Sequence, residues 1–319
     1  MRYKEFGSTG LKISEISLGT WGLGGKDMGP VDEKDAISAT CAMIDNGVNL
    51  IDTAPTYGRG ASEEILGKAL KGYRDRVMLL TKCGIRWEEG PKDFSKGAIR
   101  DSSAQSIRRQ IEESLSRLQT DHIDFYLIHW PDVNTPLEET ADVLKELKKE
   151  GKIRFTGVSN FEVEQLEVLH DLGVLDVIQY PYSMVNRTRE KLLRTYHDKG
   201  VATMGYGSLG AGILTGKYRE LPHFDAHDAR NGFYDFFSEP KFSKVMKLLE
   251  PLDSIARSRD VPVAQVAINW TTQCGIVDTS LTGVCNVAEA EENTAAMNWA
   301  LTPDEVEIIT KSINKNIDW

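Results

Sequence analysis

The chain has 319 residues, with 38 Lys plus Arg against 48 Asp plus Glu for a net charge of −10; 40% of the residues are hydrophobic and 27% charged. That balance supplies a full core and excludes a disordered chain, and the acidic excess lacks the basic stripe that nucleic acid or an anionic membrane surface requires. No apolar run approaches the roughly 18 residues of a membrane span, and no leader-like apolar segment follows Met1-Arg2-Tyr3-Lys4-Glu5. Cys41, Cys83, Cys274 and Cys285 stand far apart with no CxxC pair. Such spacing suits neither zinc nor a disulfide framework and leads us to expect a reducing, cytoplasmic setting.

Residues 3–14 read as a β-hairpin turning at Gly7-Ser8-Thr9-Gly10, placed to plug one end of a barrel. Strand-like stretches follow at 16–20, 48–52, 77–82, 123–129, 153–159, 174–180, 202–206 and 277–283. They are rich in Val, Ile and Leu and mostly uncharged until their ends, as parallel strands covered on both faces are. Helical patterns lie between them: Ile107, Ile111, Leu115 and Leu118 share one stripe, and Leu137, Ala141 and Leu144 another. Thr135-Pro136-Leu137-Glu138 and Thr302-Pro303-Asp304-Glu305 both spell a capping box with proline at the first helical position. The alternation predicts a (β/α)8 TIM barrel with an N-terminal β-hairpin plug, one domain over 1–319, although periodicity alone does not separate a closed barrel from an open, doubly wound sheet. A long loop at 218–240 stands outside the alternation and carries Tyr218, Phe224, Phe233, Tyr234, Phe236 and Phe237. Its length is that of a functional lid, while its aromatics read first as packing.

In such a barrel the chemistry sits at the C-terminal strand ends, which here gives Thr20, Asp52, Lys82, His129, Ser159, Gln179, Tyr206 and Gly283, with Tyr57 five residues beyond Asp52. A charged residue that finishes a buried strand is either paired or functional. A phenol with its usual pKa near 10 is a poor acid; the Lys82 ammonium is expected to stabilise the phenolate of Tyr57 and lower that pKa, with Asp52 holding Lys82 by an ion pair. A neutral His129 can orient a carbonyl oxygen by donating a hydrogen bond. Together they make a proton donor and an oxyanion pocket with no nucleophile and no metal. Each residue also has a structural role open to it: Asp52 and Lys82 as a buried pair, Tyr57 as a core tyrosine, His129 as a satisfied histidine beside Trp130. Their joint spacing and order favour chemistry. Two carboxylates flanking a bond, as a glycosidase needs, are missing, since only Asp52 stands at a strand end. His223-x-x-x-His227 with Asp225 has no second cluster and reads as a solvated loop, not a metal site. The glycine-rich runs at 19–25 and 211–217 match neither a dinucleotide fingerprint nor a P-loop.

Taken in order, several segments resemble the signatures of the aldo-keto reductase family across nearly the whole chain. They are Leu50-Ile51-Asp52-Thr53-Ala54-x-x-Tyr57-Gly58 with Glu63 following, the Lys82 strand, Asp124-Phe125-Tyr126-Leu127-Ile128-His129-Trp130-Pro131, Gly151-Lys152-Ile153-Arg154-x-x-Gly157-Val158-Ser159-Asn160-Phe161, Gln179-Tyr180 and Leu214-Thr215-Gly216-Lys217. The spellings His129-Trp130-Pro131-Asp132 and Gly212-Ile213-Leu214-Thr215-Gly216 are nearest to the bacterial sugar- and inositol-related branch and the potassium-channel β-subunit branch. The resemblance implies Tyr57 as general acid/base, completed by Asp52, Lys82 and His129. It places Ser159, Asn160 and Gln179 on the nicotinamide carboxamide and Tyr206 against its ring. Ser208, Leu209, Gly212 and Lys217 would line the pyrophosphate, Asn293 would meet the adenine, and Thr20, Trp21, Asp52 and Gly283 would border the cofactor. Trp21, Trp87 and Trp130, with Tyr57 and His129, would shape the substrate pocket.

One signature departs from the pattern. Leu281-Thr282-Gly283-Val284-Cys285 puts Cys285 where relatives carry the cation that meets the 2′-phosphate of NADP, and Glu289 follows as the next contact. A carboxylate repels that phosphate but accepts a hydrogen bond from the free ribose hydroxyl of NAD. The expectation is NAD(H) or NADP(H), leaning to NAD(H), in an oxidoreductase that interconverts carbonyl and alcohol on a sugar, polyol or small aldehyde. Its partner is then a small molecule, with no nucleic acid and no membrane. The alternative is a nucleotide-binding regulatory subunit with little turnover, as in the channel-associated branch.

Overall fold

The computed structural model describes residues 1–25, 29–87, 97–225 and 228–319. It opens with the antiparallel pair β1 (Tyr3–Glu5) and β2 (Lys12–Ser14), registered Tyr3 to Ser14. The chain then runs β3 (Ile16–Gly19), α1 (Glu33–Asp45), β4 (Leu50–Asp52), α2 (Ala61–Ala69), β5 (Met78–Cys83), a short pair β6 (Ile85–Arg86) and β7 (Ile99–Arg100), α3 (Ala104–Leu118), β8 (Ile123–Ile128), α4 (Leu137–Lys149), β9 (Ile153–Ser159) and α5 (Val163–Asp171). It continues with β10 (Val177–Pro181), α6 (Glu190–Asp198), β11 (Ala202–Tyr206), α7 (Lys241–Arg259), α8 (Val263–Gln273), β12 (Thr279–Thr282), α9 (Val287–Ala295) and α10 (Pro303–Asn316). Strands β3, β4, β5, β8, β9, β10, β11 and β12 close into one parallel barrel, which removes the open-sheet alternative.

Two apolar compartments hold this arrangement. Between strands and helices lies the larger core, which takes the stripe of Ile107, Ile111 and Leu118. Inside the barrel sit Leu50, Leu80, Phe125, Leu127, Val177, Ala202, Met204 and Leu281, joined by Phe6 and Ile13 from the hairpin. Phe6 meets Phe125 edge to face, with ring centroids 5.3 Å apart, so the hairpin is the expected plug. Its turn lies flat on the barrel, with Ser8 N donating to Gly200 O at 2.7 Å. Gly7 is required there: its φ is +49°, and a Cβ would stand 2.4 Å from Ala202 N.

The predicted strands 48–52, 77–82 and 174–180 each begin later in the structure. Val48, Val77 and Val174 are apolar and buried, but their amides donate to Met43, Arg74 and Leu169 carbonyls. They close the preceding turn and are not paired in the sheet, a difference hydrophobicity does not register. The Thr302 capping box forms as expected, with Pro303 at the first turn. Thr135 does not cap α4; its hydroxyl goes to Asp132 Oδ2 at 2.7 Å and Pro136 stands at the cap position. Among the described residues no helix is long and apolar enough to cross a membrane.

Phe6→Ala is expected to destabilise the protein by about 3 kcal/mol, the usual cost of emptying a phenyl-sized site. Chemical denaturation measures it; a loss below about 0.5 kcal/mol, typical of surface positions, would show that the hairpin is not part of the core.

Candidate active site

The strand registers bring several polar residues to one end of the barrel: Gly19 lies beside Asp52, Lys82 beside Leu127, Ser159 beside Gln179 and Pro181 beside Tyr206. Lys82 is completely buried. Its Nζ donates to Asp52 Oδ1 at 2.7 Å, to Thr53 O at 2.9 Å and to Tyr57 Oη at 3.1 Å. An ammonium has three protons and no lone pair, so these contacts use it fully and Tyr57 Oη must accept. The phenol's own proton is therefore directed away from Lys82. Asp52 Oδ1 takes a second hydrogen bond from Gln179 Nε2 at 2.8 Å. Backbone packing fixes the Tyr57 loop: Gly58 has φ +61°, and a Cβ there would stand 2.2 Å from Gly24 O.

The electrostatics correct one expectation. Burial, then the Asp52 carboxylate and the neighbouring Tyr206 and Tyr234, push the Tyr57 phenol well above its usual pKa. In the resting site desolvation and the Asp52 carboxylate outweigh the hydrogen bond from Lys82, so the phenol is not acidified. Burial also lowers Lys82, against the pull of Asp52. His129 is pushed well below its ordinary value by burial and then by the Lys82 charge. Tyr57 and His129 still keep a partly exposed edge toward the mouth. Their rings meet edge to face at 5.9 Å, and His129 Nδ1 lies 3.3 Å from Thr56 Oγ1. The mouth thus presents a protonated phenol and a neutral imidazole above a buried ion pair, a set able to grip a carbonyl oxygen and protonate it.

A second network adjoins the first. Asn160, in the left-handed region at φ +66° that asparagine tolerates, donates to Ser159 Oγ at 2.9 Å and His129 O at 3.2 Å and accepts from Tyr206 Oη at 2.9 Å. Ser159 Oγ donates to Gln179 O at 2.9 Å. The hydroxyls of Thr20 and Ser208 are committed to Asp52 O and Leu281 O. Beyond Leu209 the backbone turns through left-handed Ala211 and Gly212, and Lys217 is exposed past the turn. Farther along the rim Asn293 Nδ2 donates to Gly283 O at 3.4 Å, and Glu289 Oε2 accepts from Cys285 N at 2.8 Å. A held aromatic face, amide and hydroxyl groups beside it, a tight turn and an exposed cation fit a nicotinamide dinucleotide.

Trp21 stands 6.5 Å from the Tyr57 ring. Trp87 and Trp130 lie under Arg59 and Arg100, at 5.0 and 5.3 Å. The long loop is divided in its behaviour. Phe236 and Phe237 are buried packing, but Phe233 and Tyr234 reach across to Trp21 at 5.7 and 6.5 Å. Sequence reasoning missed those two contacts, as well as Thr53 O and Thr56; only the aromatic density of the loop signalled any of them. His227 lies outside the described residues, and among those described no group of three or more His, Cys, Asp or Glu is placed to hold a metal.

The aldo/keto reductase family model matches residues 15–314. The chain is 39% identical to aldo-keto reductase YhdN of Bacillus subtilis (strain 168), covering 99% of this chain and 95% of that protein. It is 35% identical to the NADH-specific methylglyoxal reductase of Escherichia coli (strain K12), over 93% and 94% of the two chains. Among solved structures it resembles the glycerol dehydrogenase AKR11B4 from Gluconobacter oxydans, with a TM-score of 0.89 and 33% identity over 99% of this chain and 96% of that one. The chain belongs to the aldo/keto reductase family and is an NAD(P)-dependent oxidoreductase that interconverts a carbonyl and an alcohol.

Proposed function

We propose that Tyr57 is the general acid/base of this reaction, acting on a sugar, polyol or small aldehyde, with Lys82, Asp52 and His129 completing the site. The observation that carries the reading is the simultaneous contact of Lys82 Nζ with Asp52 Oδ1 and Tyr57 Oη. In reduction, a carbonyl oxygen seated between Tyr57 and His129 gains negative charge and takes the phenolic proton. Lys82 then faces a phenolate at hydrogen-bond distance, so its charge counts most when the proton has left, which is where a catalytic interaction belongs. The raised pKa of the resting phenol is consistent with this: the donor stays protonated until the substrate oxygen becomes basic. The nicotinamide, when bound, supplies or takes the hydride.

Ser159, Asn160 and Gln179 are proposed to hold the carboxamide and Tyr206 the ring. Thr20, Trp21, Ser208, Leu209, Gly212, Lys217, Gly283 and Asn293 would border the rest of the cofactor. Trp21, Trp87 and Trp130 are assigned to the substrate pocket. The methylglyoxal and glycerol named for two relatives favour a small substrate here as well. For the cofactor we favour NAD(H): Cys285 offers no cation, and Glu289 folds beside it. Lys217 and Arg230 do extend positive charge toward Cys285, but Arg230 is held by Asp228 through two nitrogens. The four free cysteines support a reducing, cytoplasmic location, and the barrel with its plug supports a single domain. A regulatory subunit with little turnover, in which the same four residues would also be present, is less favoured because the relatives that the chain matches are named as reductases and a dehydrogenase.

Tyr57→Phe is expected to reduce kcat for carbonyl reduction by roughly 10²–10⁴-fold, the share of a positioned acid, with cofactor affinity by fluorescence titration unchanged. Retained turnover would assign the proton to another group. In wild type the specificity constant for NADH should exceed that for NADPH, and equal or reversed values would remove the NAD assignment. The depressed His129 has a pH consequence with a definite sign. Below its unfolded pKa near 6.5 the unfolded chain binds a proton that the folded chain refuses, so stability from this residue falls on acidification, by at most about 1.4 kcal/mol per pH unit. An NMR titration should therefore show the His129 ring neutral from pH 8 down through 6.5; a midpoint at the ordinary value would contradict the depression.

A further inference from the structure

The long loop places one polar group at the mouth that the proton-transfer reading does not use. Tyr234 packs against Phe233 at 4.9 Å and Phe236 at 5.3 Å, and the latter is anchored in the core. On its other side Tyr234 lies 6.5 Å from Trp21, which itself lies 6.5 Å from Tyr57. Both phenols therefore lie beside the same indole, Tyr57 on the loop that follows β4 and Tyr234 on the long loop. Tyr234 also lines a cavity of about 360 Å³ together with Tyr206, Phe233, Ser183, Asn186 and Thr188, at the small end of ordinary ligand pockets. Among the described residues its hydroxyl has no hydrogen-bond partner, and burial raises its pKa, so at neutral pH it is an unpaired neutral donor and acceptor.

We propose that Tyr234 is a specificity-determining residue that hydrogen-bonds a hydroxyl of the substrate beside the reacting carbonyl, so that the site prefers hydroxylated aldehydes and polyols to simple aldehydes of the same size. The proposal rests on the reading of this mouth as the carbonyl site. A substrate lacking the hydroxyl would cover Tyr234 Oη and leave it unsatisfied, whereas a hydroxylated one satisfies both groups, and sites built around such a bond reject the analogue that lacks it. Trp21 and Phe233 confine the apolar edge of the substrate.

The test compares glyceraldehyde with propanal, which share a carbon skeleton, in wild type and in Tyr234→Phe. Loss of one neutral hydrogen bond should lower kcat/KM for glyceraldehyde roughly tenfold, mainly through KM, while propanal, no longer covering an unsatisfied hydroxyl, reacts at or above the wild-type level and the affinity for NADH is unchanged. An equal loss for both substrates, or no change for either, would overturn the proposal; so would a change in NADH affinity, which would assign Tyr234 to the cofactor. Failure of the carbonyl-site reading itself shows separately, as retained reduction in Tyr57→Phe, and is independent of the ratio between the two aldehydes.

Discussion

A single buried ammonium organises this protein's site. Lys82 has no exposed surface, and its three protons go to Asp52, Thr53 O and Tyr57. Burying a charge costs several kcal/mol unless paired and hydrogen-bonded, so the surroundings of Lys82 have little freedom. Asp52 must approach from the neighbouring strand, the Thr53 carbonyl must turn inward, and the loop carrying Tyr57 must double back. The parallel barrel meets these demands because adjacent strands present their ends side by side. The plug at the other end fills the interior that closure creates.

The same carboxylate ties the proton-donating group to the shelf beside it. Asp52 Oδ1 accepts from both Lys82 and Gln179, and Gln179 leads through Ser159 and Asn160 to Tyr206 and the backbone of His129. The groups proposed to seat the nicotinamide and those proposed to handle the proton are therefore one hydrogen-bonded unit. Orientation of hydride source and acid relative to one carbonyl is the requirement such a unit meets.

The fold was legible because parallel strands covered on both faces are continuous apolar runs, and the residues that end those runs, Asp52, Lys82 and His129, conspicuously break the pattern. Strand starts were less so: Val48 and Val174 are as apolar as strand residues yet close the preceding helices. Thr135 failed as a cap because Asp132, three residues before it, competes for its hydroxyl. The direction of the Tyr57 shift was misjudged for a similar reason. A sequence shows that a cation is near, but not how much water the phenol loses or that the Asp52 carboxylate opposes that cation. Tyr234 lies 177 positions from Tyr57, and only folding brings both to Trp21.

The most direct measurement is the single-turnover rate of hydride transfer in Lys82→Met, followed by nicotinamide absorbance with cofactor and aldehyde saturating. If Lys82 stabilises the phenolate as the proton leaves, the step slows by roughly 10²-fold or more in variant protein that circular dichroism shows to be folded and that is saturated with cofactor. Hydride transfer at the wild-type rate in a folded, cofactor-saturated variant would contradict the account, and would reduce the Lys82–Asp52 pair to a structural tie within the barrel.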